Sequence, residues 1–160
     1  MRQMDTQAYV GVLKELVENG HEVSLKVEGW SMSPFLIHRR DTVYFRRPHR
    51  KLRRGDVVFY RRATGQYVMH RICRIRREGF YLVGDAQQEI EGPLEESQIF
   101  ALITAVERKG KRIGPRDPWW LFFAGPWLWL IPLRRRILNA YGKLLRKGRK
   151  EPIHGNEKEE

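Results

Sequence analysis

Hydrophobic positions follow a helical period at the start of the chain. Over residues 1–20 apolar side chains return every three or four positions, which is typical of one face of an α-helix. Asp5 or Thr6 is expected to cap this helix, and Gly20 to end it. The sequence therefore predicts a short amphipathic helix that packs against the rest of the chain. Its apolar positions are Tyr9, Val12, Leu13, Leu16 and Val17.

The period changes to two over residues 21–113. Val23, Leu25 and Val27 alternate with polar residues, as in a strand with one buried face. Turn-forming residues separate the later runs, and no helix-strand alternation appears among them. We therefore expect a compact, mainly β domain of six or seven antiparallel strands. The later runs are "TVYF", "DVVFY", "YVMHRICRI", "FYLVGD" and "IFALITAV".

The pattern changes again over residues 114–150. The stretch "PWWLFFAGPWLWLIPL", residues 118–133, is almost wholly apolar and contains four of the five tryptophans. It is shorter than the ~20 residues that span a bilayer, and Pro126 and Pro132 argue against one straight helix. Residues 134–150 follow at helical spacing with eight basic and no acidic residues. We expect an apolar, Trp-rich and then basic helical tail.

This tail has the residue order of a membrane anchor that lies in the interface. Tryptophan prefers the headgroup boundary, and a basic amphipathic helix binds acidic lipid. We therefore expect membrane association, with the side of the membrane left open and residues 151–160 forming a disordered polar terminus. Alternatively, the Trp-rich run covers an apolar face of the β domain or forms a dimer contact. The expected membrane contacts are Trp119, Trp120, Trp127, Trp129, Arg134, Arg135 and Arg136.

Composition narrows the partners of the chain. The net charge of +12 over 160 residues favours an anionic partner, either lipid or nucleic acid. No helix-turn-helix, zinc knuckle or aromatic nucleic-acid motif is present, which disfavours nucleic acid. The lone cysteine, Cys73, excludes an intramolecular disulfide. Since no Cys or His cluster has metal-ligand spacing, we expect neither a metal nor a cofactor.

Candidate chemistry begins at Ser31, in the stretch "VEGWSMSPFL". A serine hydroxyl is a weak nucleophile unless a base takes its proton. Of the five histidines, His70 alone lies in an apolar strand, on the same side as Val68 and Ile72 by alternation. From the residues alone, Ser31 is an ordinary turn serine and His70 a structural histidine.

Four motifs in order change this interpretation. They are "GWSMSPFL", "KLRRGDVVFY", "MHRI" and "YLVGDAQQEIEG", and they cover about residues 25–106. Together they resemble the type I signal peptidase family, within the S24/S26-like serine peptidases that include the LexA-type self-cleaving repressors. The resemblance implies that Ser31 is the nucleophile and His70 the general base. A histidine base is typical of the endoplasmic-reticulum, archaeal and sporulation-type members.

The resemblance also implies an acid that orients the histidine. The candidates are Glu91 and Asp85, with Glu89 close by, and the third member of the site is left open. The usual aspartate is replaced by Glu91, which is one departure from the subgroup. A second departure is Gly29, which stands where many bacterial relatives have a hydroxyl that helps the oxyanion hole. We expect the substrate to contact Gly29, Met32 and Pro34.

The implied function is a serine endopeptidase. It would cleave a leader or signal peptide from a membrane-associated or exported polypeptide through an acyl-enzyme, so that its partner is a peptide or preprotein. The identity of the leader and the oligomeric state are open. One alternative is a LexA-like self-cleaving regulator, although the lysine base and DNA-binding domain of that group are not recognisable here. Another is an inactive basic adaptor that binds membrane or nucleic acid.

Overall fold

An eight-stranded antiparallel sheet forms the centre of the computed structural model, which describes residues 3–148. The mainly β prediction is confirmed, and the predicted terminus at residues 151–160 lies outside the described part. The strands are β1 (Val23–Lys26), β2 (Asp41–Arg46), β3 (Val57–Arg61), β4 (Tyr67–Arg76), β5 (Gly79–Val83), β6 (Glu91–Leu94), β7 (Ile99–Arg108) and β8 (Lys111–Ile113). The helices are α1 (Gln3–Glu18), α2 (Pro118–Ala124), α3 (Pro126–Trp129) and α4 (Arg134–Gly148), with 3₁₀ turns at Glu96–Gln98 and Ile131–Leu133.

Helix α1 differs from its prediction at its start and in its buried face. The helix begins at Gln3 and its backbone continues through Asp5 and Thr6, so the prediction that one of these two residues is the N-cap is wrong. It ends two residues before Gly20, as expected. The face that packs on the sheet is formed by Val10, Leu13 and Val17. The other apolar positions, Tyr9, Val12 and Leu16, form a neighbouring stripe about 100° around the helix and are exposed.

The sheet order is β1-β2-β7-β3-β4-β5-β6, and β8 pairs with β7. Strand β4 has different partners along its length. Residues 67–71 pair with β3, whereas β5 pairs with β4 only from Arg71 onward. The first half of β4 therefore has one side without a strand neighbour. Strand β1 pairs only with β2. These two open strand sides border the candidate site.

The C-terminal helices complete the main core. Trp120, Phe123 and Trp127 belong to the same buried cluster as Phe35 and Phe59, where Phe35 packs against Trp120 with ring centroids 5.3 Å apart. Asp117 caps α2 by accepting a hydrogen bond from the N–H of Trp119. The inner half of the Trp-rich run thus covers the sheet. None of the helices in residues 3–148 combines the length and apolar character needed to cross a bilayer.

Candidate active site

A cavity of about 360 Å³ contains both predicted reacting side chains. Ser31 lies on the loop between β1 and β2, and His70 lies on β4, in the hairpin that β4 forms with β3. Gly29 also borders this cavity. Met32 instead lies in the core, because the turn after Ser31 directs its side chain inward, and Pro34 does not border the cavity. The structure therefore brings Ser31, His70 and Gly29 together but does not place Met32 or Pro34 with them.

His70 is connected to Glu91 through a residue that the sequence did not single out. The Nδ1 atom of His70 lies 3.1 Å from the hydroxyl oxygen of Tyr60, and that hydroxyl donates to Glu91 over 2.5 Å. Arg62 donates two hydrogen bonds, of 2.8 and 2.9 Å, to the same carboxylate. The order is therefore His70, Tyr60, Glu91, Arg62. Of the predicted acids, Glu91 is the one linked to His70, and the link runs through the Tyr60 hydroxyl rather than through a direct hydrogen bond.

This network fixes the tautomer of His70. Tyr60 has one hydroxyl hydrogen, and the carboxylate of Glu91 accepts it because a carboxylate cannot donate. The Tyr60 oxygen must then accept a hydrogen bond from Nδ1–H of His70. The other ring nitrogen, Nε2, keeps its lone pair, which is the state that a general base requires.

Protonation states agree with this arrangement. Burial lowers the pKa of His70 to about 4, which keeps the ring neutral at physiological pH. Burial and the hydrogen bond to Glu91 raise the pKa of Tyr60, so its hydroxyl stays protonated. Burial alone would raise the pKa of Glu91, but the hydrogen bonds from Arg62 and Tyr60 lower it below its ordinary value. The Tyr60 hydroxyl thus lies between a neutral imidazole and an ionised carboxylate.

Asp85 is not connected to His70. It forms a fully buried, two-pronged ion pair with Arg71, with hydrogen bonds of 2.9 and 2.8 Å. Arg71 also donates to the backbone oxygen of Gly55 over 2.8 Å. The structure does not support the expectation that Asp85 orients His70, because both of its carboxylate oxygens pair with Arg71. Glu89 is exposed beside a different cavity, so it does not serve this role either.

The Gly84-Asp85 loop packs behind Ser31 and supports it. The backbone oxygen of Ser31 accepts a hydrogen bond of 2.9 Å from the N–H of Ala86. A Cβ atom on Gly84 would stand only 2.6 Å from that same oxygen. Only glycine allows this approach, because an added methyl group would push Ser31 away. The "GD" motif therefore positions Ser31 through Gly84 and holds β4 through the pairing of Asp85 with Arg71.

Gly29 has a geometric role in the loop that carries Ser31. Its φ of +92° lies in the left-handed region that favours glycine. Its N–H donates to Nδ1 of His38 over 2.8 Å, and the ring of His38 packs against Trp30. The Gly29 N–H is therefore already used. Within residues 3–148 the N–H of Ser31 donates to no protein acceptor, which leaves it available to an oxyanion.

Two strand sides offer backbone groups to the cavity. In antiparallel pairs, successive residues point their N–H and C=O alternately toward and away from the partner strand. Val27 donates to Asp41 of β2, so the neighbouring Lys26 and Glu28 face away from β2. Gln66, directly before β4, and Ile72 bond toward the β3 side, so by the same alternation Met69 faces away from β3.

The end of this open side of β4 is already occupied. The side chain of Gln7 pairs with both backbone groups of Tyr67, over 2.7 and 3.2 Å. Met69 therefore presents the next outward-facing pair of backbone groups, directly before His70. An extended peptide lying between Met69 and β1 would pass both Ser31 and His70.

The C-terminal helices are fastened to the active-site loop. The ring N–H of Trp127 donates to the backbone oxygen of Asp85 over 2.9 Å. Arg134 donates to the backbone oxygens of Gly84 and Gln87 over 2.9 and 3.2 Å. Trp127 and Arg134 are therefore buried, as is Trp120, and the expectation that these three side chains contact a membrane is wrong for this structure. The other expected contacts, Trp119, Trp129, Arg135 and Arg136, are exposed.

The residues that the sequence interpretation missed are Tyr60 and His38. Tyr60 lies on β3 opposite Val68, one diagonal step from His70 on the same face of the hairpin. The register of this hairpin was the available signal. His38 had none, because its partner is a backbone N–H nine residues earlier. No group of three or more Cys, His, Asp or Glu side chains suited to a metal lies in the part of the chain that the structure describes.

The fold and the groove together define a class of protein. An antiparallel β domain that presents a serine and a neutral histidine to one groove is the arrangement that the resemblance to serine peptidases implies. The chain belongs to the S24-like peptidase family, since the family model described as Peptidase S24-like matches residues 2–103. The match ends within β7, so β8 and the helices α2 to α4 lie beyond it. No curated protein and no solved structure matches the chain.

Proposed function

We propose that this chain is a serine endopeptidase that cleaves a leader or signal peptide, with Ser31 as nucleophile and His70 as general base. The observation that carries the proposal is the network from His70 through Tyr60 to Glu91. It uses Nδ1 of the histidine and leaves Nε2 free in the cavity that Ser31 shares. Membership of the S24-like family supports peptidase chemistry in general.

The mechanism follows from these positions. Ser31 Oγ attacks the scissile carbonyl, Nε2 of His70 takes the hydroxyl proton, and the histidine then passes it to the leaving amine. Water attacks the acyl-enzyme with His70 again as base. The imidazolium that forms is stabilised through Tyr60 by the negative charge of Glu91, and the Ser31 N–H donates to the oxyanion.

The substrate binds as an added strand between the open sides of β1 and β4. Backbone groups of Met69 and Lys26 pair with the peptide, which is the usual source of affinity in strand addition. Val27, Val43 and Phe59 form an apolar floor beneath it. An extended apolar peptide without bulky charged groups at the scissile bond fits this groove best.

The test uses a mixture of synthetic leader-type peptides, with products identified by mass spectrometry. Ser31→Ala and His70→Gln should abolish cleavage, because each removes one reacting group. The matched controls are Ser33→Ala, in the same loop, and His21→Gln, on the surface, and both should cleave at the wild-type rate. Cleavage by Ser31→Ala or His70→Gln at the wild-type rate, or no cleavage by the wild type, would overturn the proposal.

Self-cleavage is the second candidate, because the S24-like family supports it as well as cleavage of another chain. The two are separated by incubating the pure protein alone and following its intact mass. Self-cleavage within one molecule gives fragments at a rate that does not depend on protein concentration, and Ser31→Ala stops it. Leader cleavage leaves the chain intact while added peptides are consumed.

A further inference from the structure

The helices beyond the family match present a second, outward face. Trp120, Trp127 and Arg134 point inward, but several large apolar side chains of the same segment point to solvent. Trp129 is the most exposed of them, at 77% of its surface, and Leu144 on α4 follows at 68%. We name this set the outer face. Its members are Leu121, Phe122, Trp129, Leu133, Tyr141, Leu144 and Leu145.

A basic cleft borders the outer face. It encloses about 450 Å³ between β4 and the C-terminal segment, and Arg54, Arg74 and Arg76 line it together with Leu128 and Ile131. The guanidinium group of Arg54 lies 5.6 Å from the ring centroid of Trp129, which joins the cleft to the outer face. Within residues 3–148 none of these three arginines forms a salt bridge. The cleft therefore keeps its positive charge.

Helix α4 also combines positive charge with exposed apolar side chains. Over Arg134–Gly148 it contains no acidic residue, and its last turn is basic. Leu144 and Leu145 are exposed beside this charge. The exposed basic residues of α4 are Arg135, Arg136, Lys143, Arg146 and Lys147.

We infer that the outer face, the basic cleft and α4 together dock on an anionic phospholipid surface. The charge of the cleft and α4 complements acidic headgroups, which attract each basic residue near the surface. Trp129 and the exposed leucines enter the headgroup boundary, where an aromatic ring with a polar edge is favoured. A nucleic acid would use the charge but would leave Leu144 and Leu145 in water. The helices lie in the interface, as an amphipathic segment does.

The test measures the partition of the full chain onto vesicles. The protein carries Ser31→Ala, so the result does not depend on peptidase activity and the failure of this inference differs from the failure of the proposed function. Vesicles of equal parts phosphatidylglycerol and phosphatidylcholine should bind it, and vesicles of phosphatidylcholine alone should bind it at least tenfold more weakly, since the basic residues act only on acidic lipid.

Two pairs of matched variants locate the surface. Trp129→Ser with Leu144→Ser should weaken partition more than tenfold, whereas Val12→Ser with Leu16→Ser, exposed apolar residues of α1, should not. Arg74→Gln with Arg76→Gln should weaken it about 30-fold, which is the loss of two charges of about 1 kcal/mol each at about 1.4 kcal/mol per tenfold. The matched control is Arg46→Gln with Arg47→Gln, which removes the same charge at the C-terminal end of β2.

All these side chains are exposed, so the variants should keep the wild-type melting temperature, and those that do are compared. Equal weakening by test and control pairs would overturn the inference, because it would show non-specific hydrophobic or electrostatic adsorption of the whole protein surface. No binding to the acidic vesicles would also overturn it. So would binding of a DNA duplex with the same residue dependence in the absence of vesicle binding, which would assign the surface to nucleic acid.

Discussion

The hydroxyl of Tyr60 is a single atom on which the proposed base depends. Tyr60→Phe removes this oxygen and keeps the ring, which packs in the core between β3 and its neighbours. The change leaves Nδ1–H of buried His70 without an acceptor and takes one of its hydrogen-bond donors from Glu91. Both tautomers of His70 then become accessible, and in one of them Nε2 carries the proton and cannot act as base.

The magnitude follows from the cost of an unsatisfied buried donor. Leaving such a group without a partner costs about 1–3 kcal/mol. A difference of this size in the transition state corresponds to roughly 5- to 160-fold in kcat/KM. The loss should fall on kcat rather than on KM, because Tyr60 does not border the cavity that would hold the substrate. The free energy of unfolding should fall by about the same 1–3 kcal/mol.

The assay is cleavage of the best peptide from the mixture, together with the rate of labelling by a serine-directed phosphonate. Tyr67→Phe is the matched control, because it removes a hydroxyl from the neighbouring strand outside the network, and it should keep the wild-type kcat. If Tyr60→Phe also kept the wild-type kcat and labelling rate while folding normally, the proposed positioning of His70 through Tyr60 would be refuted.

Three further predictions concern the supports of the site. Between pH 6.5 and about 4 His70 is protonated in the unfolded chain but stays neutral in the folded protein, so the free energy of unfolding should fall by about 3 kcal/mol as the pH drops through that window. Urea unfolding at several pH values should show this fall in the wild type and a shallower fall in His70→Gln. Asp85→Asn removes one charge of a buried ion pair and should destabilise the fold by about 3–5 kcal/mol in denaturant titration; a loss under 1 kcal/mol would contradict the geometry. Gly84→Ala should displace Ser31 and slow phosphonate labelling, while Gly114→Ala, where no atom lies within 4 Å of the new methyl group, should not; equal rates for the two variants would argue against the support of Ser31 by Gly84.

The sheet was predictable because alternation reports burial directly. Val23 and Leu25 repeat with period two, and a half-buried strand is the one element that such a period fits. The face of α1 was predicted less well. Tyr9, Val12 and Leu16 satisfy a helical period as well as Val10, Leu13 and Val17 do, and the sequence does not state which stripe meets the sheet.

Side-chain partners across the sheet were the least predictable part of the site. The resemblance carried by the motif order paired Ser31 with His70, but the acid was assigned by spacing along the chain. The structure separates Asp85 from His70 through Arg71, and it joins Glu91 to His70 through Tyr60. Both outcomes depend on which residues meet across strands, and this follows from register rather than from distance in sequence.

The tryptophan-rich run shows the same limit in another form. Trp127 and Trp129 are two residues apart in a short helix, yet the first is buried and the second is 77% exposed. Composition treats them alike, so both were expected at a membrane. The hydrogen bond from Trp127 to the backbone of Asp85 separates them, and that contact spans 42 positions of the sequence.

The fastening of Trp127 and Arg134 to the loop behind Ser31 has a consequence for the choice of substrate. The loop behind Ser31 and the helices that carry the outer face are joined by buried hydrogen bonds rather than by a flexible linker. When the outer face rests on a bilayer, as inferred above, Ser31 stands at a fixed height above the lipid. The protein would then select a scissile bond by its distance from the membrane surface as well as by the side chains around it.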